Sequence, residues 1–536
     1  MKSNLWWLDG IIYQIYPRSF ADTNQDGIGD LEGICRNLDY LQDLGIDAIW
    51  LSPIHPSPDV DFGYDISDYK NIDPKFGDMK IFEQLIKEAH KRKIYIILDL
   101  VLNHTSNQHP WFIESRKSRN NPFSDFYLWY ESSANKKPPN NWLSILGGSA
   151  WELDALSNRY YYHMYYKEQP DLNWRNSKVR QYMLDLFRFW MDKGVNGFRL
   201  DVFNLYFKDA YFRDNPNKIW GIRPFDRQEH KYDNNQPEMF TLLREIRQLL
   251  DQYDAAYAVG ETFLSTAEKA AEFCGDDLLH ATFNFEFLQS SWKSDHFLRN
   301  IKKWDNISKD NCWPTYVLNN HDVVRSATRY GQGEDDERLK VAATMLLTLR
   351  GTPYIYYGEE IGMRDIKLKR SQILDPVGRY YWPFYKGRDG CRSPMQWANN
   401  AYAGFSSVQP WLPQHANYVY RNVIDQLDDR ESILNYYRSL IKIRRTHPVL
   451  VHGDFLPIDN GTKNILMYQR NWKTEQALIM LNFSQLTKEI IVPLSDSKTW
   501  SLLLSNKRDA CHLSHNQEFK LFPNEACVWI ADKHVV

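Results

Sequence analysis

The chain has 536 residues, of which 43% are hydrophobic and 25% are charged, and these values are ordinary for a globular protein. Its formal net charge of -3 gives no electrostatic reason to expect nucleic acid or an anionic membrane as a partner. No apolar run is long enough to cross a bilayer, and the N-terminal residues lack the apolar core of a signal peptide. The six cysteines have no metal-ligand spacing, so we expect free thiols and a cytoplasmic location.

Apolar runs and helical stripes alternate over the first two thirds of the chain. The first run, "GIIYQIYP", is followed by Leu31, Ile34, Leu38 and Leu41 at helical spacing and then by Gly45, a helix-ending residue. The alternation continues with the runs "IDAIWLSP", "IYIILDLVLNH", "NGFRLDV", "AYAVGE", "ATFNFE", "TYVLNNHD" and "TPYIYYGEE". Eight apolar strands with helical intervals predict an α/β fold, a closed (β/α)8 TIM barrel, with a doubly wound open sheet as the alternative.

Two stretches depart from this alternation. Residues 105–168 are rich in Asn, Ser, Pro and Trp and have little helical period, so we predict a loop-rich domain inserted after the third strand. From residue 456 to 536 the sequence changes to short apolar strands separated by polar turns, which predicts a C-terminal antiparallel β-sandwich. Residues 1–104 and 169–455 then form the barrel.

Charged and polar side chains come at the ends of several predicted strands. They are Asp99, Asn103, His104, Arg199, Asp201, Glu261, His321 and Asp322. Arg199 and Asp201 are two residues apart, so both point to the same face of their strand. A single strand-end carboxylate often only caps the next helix. In a parallel barrel, however, the strand ends meet at one rim, and a crowded acidic pocket there indicates a site used by a partner or a reaction.

The residue types available at this rim narrow the chemistry. The chain has no phosphate-binding loop, no organic-cofactor motif and no catalytic Ser/His/Cys set, so the carboxylates favour cleavage of a glycosidic bond. A retaining mechanism needs an ionised carboxylate and a protonated carboxyl roughly 5 Å apart, and a third carboxylate stabilises the transition state. The high aromatic share, 15% with 19 Trp, fits both bulky barrel filling and platforms for sugar rings.

Five motifs carry a resemblance to a known family. They are, in chain order, "DLVLNH" (99–104), "QPDLNW" (169–174), "GFRLDV" (197–202), "VGET" (259–262) and "NNHD" (319–322). In this order they resemble the conserved regions of the α-amylase superfamily, glycoside hydrolase family 13, and within it the exo-acting α-glucosidases and oligo-1,6-glucosidases. The resemblance runs almost from end to end and implies a barrel hydrolase that removes terminal glucose from short α-glucosides.

The resemblance implies a role for each rim carboxylate. Asp201 matches the nucleophile that forms a covalent β-glucosyl-enzyme, Glu261 matches the general acid/base, and Asp322 matches the transition-state stabiliser. Residues that match those lining the subsite for the terminal glucose are His104, Arg199 and His321. Since a nearby positive charge lowers a carboxyl pKa, we expect Arg199 to lower the pKa of Asp201 and keep it ionised.

The resemblance also implies how the pocket is closed. Asp61 and Tyr64 resemble the pair behind the non-reducing glucose, with the aromatic ring as a platform. Arg388 resembles the arginine that pairs with Asp61, and Arg392 is the second candidate. A pocket closed in this way removes one terminal glucose. The alternative for Asp61 and Arg388 is an ion pair that only locks loops, which is compatible with that role.

The segment "DTNQDGIGDLEG" (22–33) alternates oxygen-bearing side chains around glycine. It resembles an EF-hand-like cage for a hard cation but lacks a Glu at the twelfth position. In the resembling glucosidases this loop binds structural Ca²⁺, and the corresponding ligands here are Asp22, Asn24, Asp26, the Ile28 carbonyl and Asp30. The alternative is an Asx-rich turn without metal. No organic cofactor is expected.

The residue after the predicted nucleophile, Val202, bears on which bond is cut. In the resembling enzymes Val accompanies α-1,6 bonds and Thr or Ala accompanies α-1,4 bonds, so we predict a preference for isomaltose and isomalto-oligosaccharides. The alternative is that Val202 only satisfies the β-propensity of a strand end. Two features oppose the α-1,6 prediction: residues 204–240 look more like a group favouring α-1,4 bonds, and Leu146 stands where an aromatic is usual near the aglycone.

Other functions stay open. They are an α-1,4-specific α-glucosidase (maltase), a transglucosylase and a trehalose-6-phosphate hydrolase, the last of which would need a basic acceptor pocket. A hypothesis from another class is a catalytically inactive binding subunit, as in amino-acid transporter heavy chains, but such relatives have lost carboxylates and carry a membrane span. The expected partners are small oligosaccharides, without nucleic acid or membrane, and the expected state is a monomer or weak homo-oligomer.

Overall fold

The computed structural model describes residues 5–132, 137–308, 312–331, 333–492, 498–514 and 518–531. Within them the β-strands are, in chain order, β1 (Ile12–Ile15), β2 (Ala48–Leu51), β3 (Tyr95–Leu100), β4 (Trp129–Glu131), β5 (Trp151–Asp154), β6 (Arg159–Tyr162), β7 (Gly197–Leu200), β8 (Tyr257–Gly260), β9 (Ala281–Thr282), β10 (Thr315–Val317), β11 (Thr352–Tyr356), β12 (Asp454–Pro457), β13 (Ile465–Trp472), β14 (Glu475–Asn482), β15 (Lys488–Ile491), β16 (Trp500–Ser505), β17 (His512–Leu513), β18 (Glu518–Leu521) and β19 (Ala526–Ala531). The α-helices are α1 (Trp6–Asp9), α2 (Leu31–Arg36), α3 (Leu38–Leu44), α4 (Met79–Lys91), α5 (Pro110–Ser115), α6 (Ser177–Asp192), α7 (Glu238–Leu250), α8 (Ala267–Ala271), α9 (Phe285–Leu288), α10 (Ser294–Ile307), α11 (Ser326–Tyr330), α12 (Glu337–Thr348), α13 (Pro376–Tyr380), α14 (Val423–Asp428), α15 (Ile433–Thr446) and α16 (Val449–His452).

Eight strands form one parallel sheet in the order β10-β11-β1-β2-β3-β7-β8-β9, which confirms the predicted (β/α)8 barrel. Each of these strands lies within one of the apolar runs. Every residue of β1, β2 and β7 is buried, because the sheet is covered on both faces, and this explains why the runs are continuously apolar. Between the end strands β9 and β10, Thr315 Oγ1 donates to the Thr282 carbonyl oxygen at 2.8 Å.

The register of the barrel strands places the polar residues side by side. Asp99 on β3 is the direct partner of Arg199 on β7. The last residues of β7 and β8 are also partners, and Asp201 and Glu261 follow them immediately. The Glu261 N–H donates to the Leu200 carbonyl oxygen at 2.9 Å. These side chains therefore leave neighbouring strands at one rim.

The first predicted helix is interrupted in the structure. The stripe that begins at Leu31 is shared by α2 and α3, which are separated at Asn37. Asn37 Nδ2 donates to the Gly33 carbonyl oxygen at 2.8 Å, and such side-chain bonds compete with the helical ladder. Gly45 ends α3 in the left-handed region, with a φ of 93°, as its sequence position predicts.

The segment inserted between β3 and α6 is more regular than its composition indicates. It contains α5 and a three-stranded antiparallel sheet in the order β4-β6-β5. Its aromatic rings pack on each other and on an arginine. The Trp142 and Trp151 rings are stacked with their centroids 6.2 Å apart, and the Arg159 guanidinium lies 4.3 Å from the Trp129 ring centroid. The insertion after the third barrel strand is thus present, while its limits at 105 and 168 stay a prediction.

The C-terminal part is antiparallel, as predicted. A six-stranded sheet, β12-β13-β14-β19-β16-β17, is accompanied by the two-stranded sheet β15-β18. Ile490 and Phe519 of the small sheet share one hydrophobic cluster with Trp529 of the large sheet. Because β12 begins at Asp454, the predicted boundary at residue 456 falls inside the first strand of this part.

Two expectations from the sequence concern the state of the cysteines and the presence of membrane-spanning helices. All six cysteines lie in the described ranges and are free thiols, and four of them are buried. Among the described residues, no helix combines the length and apolarity needed to span a bilayer.

Candidate active site

A single guanidinium lies at the centre of the strand-end rim. Arg199 is 2% exposed, and its Nη1 donates to Asp99 Oδ1 at 2.7 Å and to Asp201 Oδ1 at 2.5 Å. Its Nη2 pairs with Glu261 Oε2, and its Cζ lies 5.3 Å from the Trp50 ring centroid. The predicted contact between Arg199 and Asp201 is confirmed, but the same cation serves three carboxylates.

The pKa of Asp201 reflects both this sharing and its burial. Burial raises the pKa of Asp201 to about 6, Arg199 lowers it in part, and the Asp99 carboxylate raises it again. The expected lowering by Arg199 is confirmed, but desolvation outweighs it, so the net pKa of Asp201 is raised. A carboxyl with a pKa of about 6 is still mostly ionised at neutral pH, as was expected for Asp201.

Asp322 lies in the opposite electrostatic setting. Arg392 Nη2 donates to Asp322 Oδ1 at 2.8 Å and Arg388 Nη1 at 3.4 Å, while His321 Nε2 lies 3.3 Å from the other carboxylate oxygen. Burial tends to raise the pKa of Asp322, but these neighbours outweigh burial and lower it. Asp322 therefore remains ionised throughout the neutral pH range.

His321 and Tyr64 form a stacked and hydrogen-bonded pair beside the rim. Their ring centroids are 5.3 Å apart, with 2° between the planes. Burial lowers the pKa of His321 to about 3, so the imidazole is neutral at pH 7. Gln14 Nε2 lies 2.9 Å from His321 Nδ1. Because an amide nitrogen can only donate, Nδ1 accepts and the proton of the neutral ring is on Nε2. This proton points to Tyr64 Oη, which lies 2.6 Å from Nε2. Tyr64 Oη in turn donates to Asp99 Oδ2 at 3.0 Å.

A second ion-pair group lies next to Asp322. Arg388 Nη2 donates to Asp61 Oδ1 at 2.6 Å and to Asp375 Oδ1 at 3.0 Å. The predicted pairing of Arg388 with Asp61 is confirmed, while the second candidate, Arg392, binds Asp322 instead. Held by two carboxylates, the Arg388 guanidinium has a fixed position.

His104 and Gln169 support this group from the inserted side. His104 Nε2 lies 2.9 Å from the Tyr64 carbonyl oxygen and 3.1 Å from Gln169 Nε2. Gln169 Nε2 also donates to the Tyr64 carbonyl oxygen at 3.1 Å and to Asp61 Oδ2 at 3.4 Å. The predicted residues His104, Tyr64 and Asp61 are thus brought together.

Val202 has a strained backbone. The strand β7 ends at Leu200, and Val202 follows with a φ of 36° and a ψ of 40°, in the left-handed region. A β-branched residue rarely adopts this conformation, which costs about 1–3 kcal/mol and is frequent at functional sites. The β-propensity interpretation of Val202 is therefore wrong. Its buried side chain belongs to a cluster that also contains Ile145 and Tyr165.

Known proteins share this architecture. Residues 14–453 match the family Alpha-amylase, described as "Alpha amylase, catalytic domain". The chain is 41% identical over 503 residues to a "Probable alpha-glucosidase" of Rhizobium meliloti (strain 1021), covering 90% of this chain and 91% of that protein. This chain belongs to the α-amylase family. It is also 39% identical to an "Oligo-1,6-glucosidase" of Parageobacillus thermoglucosidasius, covering 98% of this chain and 99% of that protein. The crystal structure of the α-glucosyl transfer enzyme XgtA is similar with a TM-score of 0.92 and 38% identity, covering 98% and 99% of the two chains.

Membership of the α-amylase family identifies the chain as a glycoside hydrolase. The structure adds residues to its site that sequence reasoning missed, namely Gln14, Gln169 and Asp375. Gln169 opens the motif "QPDLNW" and was available as a signal. Gln14 and Asp375 lie in a strand and a turn without any marker, and only long-range packing shows their contacts.

A cavity of about 480 Å³ opens beside Asp61 and Arg388 in this α-amylase family member. We call it the entrance cavity. Its apolar wall comes from the inserted segment, the segment after β7 and the segment after β11, and consists chiefly of Ile145, Leu146, Ile222, Val377, Tyr381 and Phe384. Leu146 lines this cavity, while its position near the aglycone stays a prediction.

The loop predicted to bind calcium is folded as a set of short turns. Asp30 caps α2 by accepting from the Gly33 N–H at 2.7 Å, and Asp26 accepts from the Ile28 N–H at 2.8 Å. Asp22 and Asn24 likewise accept backbone N–H groups of the loop. The oxygen donors are of the type that calcium prefers. In the described part of the chain, however, no group of three or more His, Cys, Asp or Glu is arranged to hold a metal ion, so structural calcium stays a prediction.

Proposed function

We propose that this glycoside hydrolase is a retaining, exo-acting α-glucosidase that releases terminal non-reducing glucose from short α-glucosides. The contacts of Arg199 carry the proposal, because one guanidinium holds Asp201 and Glu261 side by side. Retaining glycosidases keep their two carboxyl groups about 5 Å apart, whereas inverting enzymes need a wider gap for water. The names of the curated relatives, alpha-glucosidase and oligo-1,6-glucosidase, support the same substrate class.

Each carboxylate then has one task. The ionised Asp201 attacks the anomeric carbon while protonated Glu261 gives its proton to the leaving oxygen, so the glycosidic bond breaks and a β-glucosyl ester forms on Asp201. Glu261, now ionised, removes a proton from water, whose oxygen attacks the anomeric carbon and breaks the ester. This returns Asp201 ionised and Glu261 protonated. Asp322 stays ionised and stabilises the positive charge of the transition state.

The fixed group around Arg388 supports exo action. Asp61, Arg388 and Asp375 form one connected ion-pair group. Gln169 joins this group to the backbone of Tyr64, because its Nε2 donates to both Asp61 Oδ2 and the Tyr64 carbonyl oxygen. A wall of this kind leaves room for one terminal glucose and none for a polymer that continues past it. The proposed role of Tyr64 is the platform for that glucose ring.

We further propose a preference for α-1,6 bonds, which rests on Val202 and on the oligo-1,6-glucosidase relatives. The extra methylene of a 1,6 linkage moves the second sugar ring away from a side chain that crowds the leaving-group position. Leu146 and residues 204–240 favour the rival α-1,4 specificity, and the similarity to XgtA favours transfer to an acceptor as a further rival.

The phosphate-specific rival has less support. The two cations that line the entrance cavity, within the ranges that the structure describes, are both paired with carboxylates. Arg223 forms an ion pair with Asp226 at 2.8 Å, and Arg388 is paired with Asp61 and Asp375. A sugar phosphate would have to displace these partners.

The primary test is release of 4-nitrophenol from its α-glucoside. The unmodified chain is expected to release it, and Asp201→Asn is expected to lower kcat by about 10⁴-fold because the nucleophile is lost. The surface variant Asp185→Asn, in an exposed helical ion pair, serves as the control. An unmodified chain without this activity would support the inactive binding subunit and refute the proposal.

The linkage proposal has its own test. We expect a higher kcat/KM for isomaltose than for maltose, and a smaller ratio in Val202→Thr, which keeps the β-branched shape and adds a polar group. A preference for maltose that Val202→Thr does not change would refute α-1,6 specificity. The cytoplasmic location, the absence of nucleic-acid and membrane partners, and the monomeric or weakly oligomeric state stay predictions.

A further inference from the structure

A cleft of about 1030 Å³ lies at the other end of the barrel from the rim. Its wall includes residues 45–47, which directly precede β2, residues 92–93, which precede β3, and one face of α15. Asp201 and Glu261 follow the carboxyl ends of their strands, so the barrel itself separates them from this cleft. We call it the basal cleft.

Positive charges predominate in the basal cleft. The cations that line it are Arg92, Lys93, Arg430, Arg438, Lys442 and Arg445, and the carboxylates that line it are Asp43 and Asp47. The whole chain has a formal net charge of -3, so this excess of positive charge is local. Because like charges that are gathered in one place repel each other, an anion bound in the cleft would stabilise the protein.

Two of the six cations are neutralised by carboxylates of the protein itself. Arg92 pairs with Asp39 at 2.6 Å and with Glu88 at 3.1 Å. Arg445 pairs with Asp47 at 2.7 Å. These two guanidinium groups therefore already have counter-charges.

The other four cations, Lys93, Arg430, Arg438 and Lys442, lack such partners. In the ranges that the structure describes, no carboxylate lies within ion-pair distance of them, and Arg438 Nη1 donates to the neutral Asn435 side chain at 3.3 Å. The remaining lining carboxylate, Asp43, offsets only one of these four charges. A net positive charge therefore faces the cleft without a counter-ion from the described residues.

The arrangement of the cations favours an extended anion. Arg438, Lys442 and Arg445 are four and three residues apart, so they lie along one face of α15. A helix rises about 1.5 Å per residue, which places Arg438 and Lys442 about 6 Å apart along the axis. Lys93 and Arg430 reach the same space from two other segments. A row of charges of this kind suits a chain of linked anionic groups better than one isolated anion.

We propose that the basal cleft binds a small molecule that carries a chain of phosphate groups, either an inorganic oligophosphate or the triphosphate of a nucleoside. Arg430 and Arg438 each offer a planar fork of N–H donors that matches phosphate oxygens, and Lys93 and Lys442 add point charges. The cleft volume lies at the upper limit of small-molecule sites, roughly 300–1,000 Å³, so a whole nucleotide has room.

The test is isothermal titration calorimetry of the full chain with sodium triphosphate, at constant ionic strength and without divalent cations or glucosides. We expect saturable binding that is at least about tenfold tighter than the binding of orthophosphate, because a longer anion makes several charge-assisted hydrogen bonds at once. Titration with ATP separates the two sources. An affinity for ATP no higher than that for triphosphate identifies the phosphate chain alone as the ligand, and a higher affinity shows that the nucleoside is bound as well.

Variants locate the binding in the cleft. Arg438→Gln/Lys442→Gln should weaken the binding of triphosphate about tenfold or more, since charged hydrogen-bond donors are lost. Lys93→Gln removes a cation from a different segment and should weaken it too. The matched control is Arg299→Gln/Lys302→Gln, which removes two exposed cations from α10, outside the cleft, and should keep the affinity. Thermal unfolding shows whether each variant is folded.

Three results would overturn the proposal. They are the absence of saturable binding, an affinity for orthophosphate equal to that for triphosphate, and an affinity for triphosphate that neither Arg438→Gln/Lys442→Gln nor Lys93→Gln changes. Because the titration contains no glucoside, none of these results bears on the proposed α-glucosidase function.

Discussion

The rim around Arg199 and the entrance cavity adjoin at Asp61 and Arg388, but they are built in opposite ways. The rim is buried and charged, and each of its groups has several partners, as with Arg199 between three carboxylates. The cavity wall is apolar and its outermost side chains, Ile222 and Phe384, are almost fully exposed. If the rim cleaves the glycosidic bond as proposed, its shared ion pairs should tolerate substitution poorly, whereas a wall with few specific contacts should tolerate it better.

The largest effect is expected at the centre of the rim. Arg199→Lys should lower kcat by about 10²–10³-fold, because a lysine is a point charge on a flexible stem and cannot contact Asp99, Asp201 and Glu261 together. The measurement is kcat with the 4-nitrophenyl α-glucoside, accompanied by thermal unfolding to show that the variant is folded. Arg188→Lys, in an exposed ion pair, is the control. A loss below tenfold would mean that the rim tolerates change and would remove the contrast with the cavity.

The second effect concerns pH and isolates the contribution of Asp99 to the pKa of Asp201. Burial raises the pKa of Asp201 to about 6, and in the proposed mechanism only the ionised form attacks, so kcat/KM should fall about tenfold per pH unit below 6. The Asp99 carboxylate contributes to this raised pKa, so Asp99→Asn should lower the pKa and move the acid limb to lower pH. The profile is recorded with methyl α-D-glucoside. An acid limb that moves to higher pH in Asp99→Asn would contradict the electrostatic account of the rim.

The sequence predicted the barrel and the identity of the rim residues because both depend on local patterns. Continuous apolar runs located all eight strands, and the two-residue spacing of Arg199 and Asp201 predicted their contact. The lowering effect of Arg199 on the pKa of Asp201 was predicted, but the net rise was not, because it depends on burial and on the position of Asp99, which comes from another strand. The left-handed Val202 was also beyond prediction, since its neighbours impose a conformation against its own preference.

The same limit explains what was missed at the pocket wall. Arg388 was paired correctly with Asp61 by resemblance, yet its second partner, Asp375, has no sequence signal. Of the residues that line the entrance cavity, Asp61, Leu146 and Arg388 were singled out from the sequence, and most of the wall was not, because it comes from three segments that lie far apart in the chain. Periodicity and motifs report neighbours along an element, whereas a surface assembled from several loops requires the folded structure.

The smallest effect is expected at the entrance. Tyr381→Phe removes the hydrogen bond to the Leu146 carbonyl oxygen but keeps the ring in the wall. A neutral hydrogen bond contributes about 1 kcal/mol, which corresponds to about a fivefold change in an equilibrium, so KM for the 4-nitrophenyl α-glucoside should rise by up to that factor. The change in kcat should be smaller than the change in KM, because the bond is equally present when substrate and transition state are bound. The neighbouring exposed residue provides the control Tyr380→Phe. If Tyr381→Phe reduced kcat as strongly as Arg199→Lys, the entrance would belong to the catalytic machinery, and the distinction between a fixed rim and a variable wall would fail.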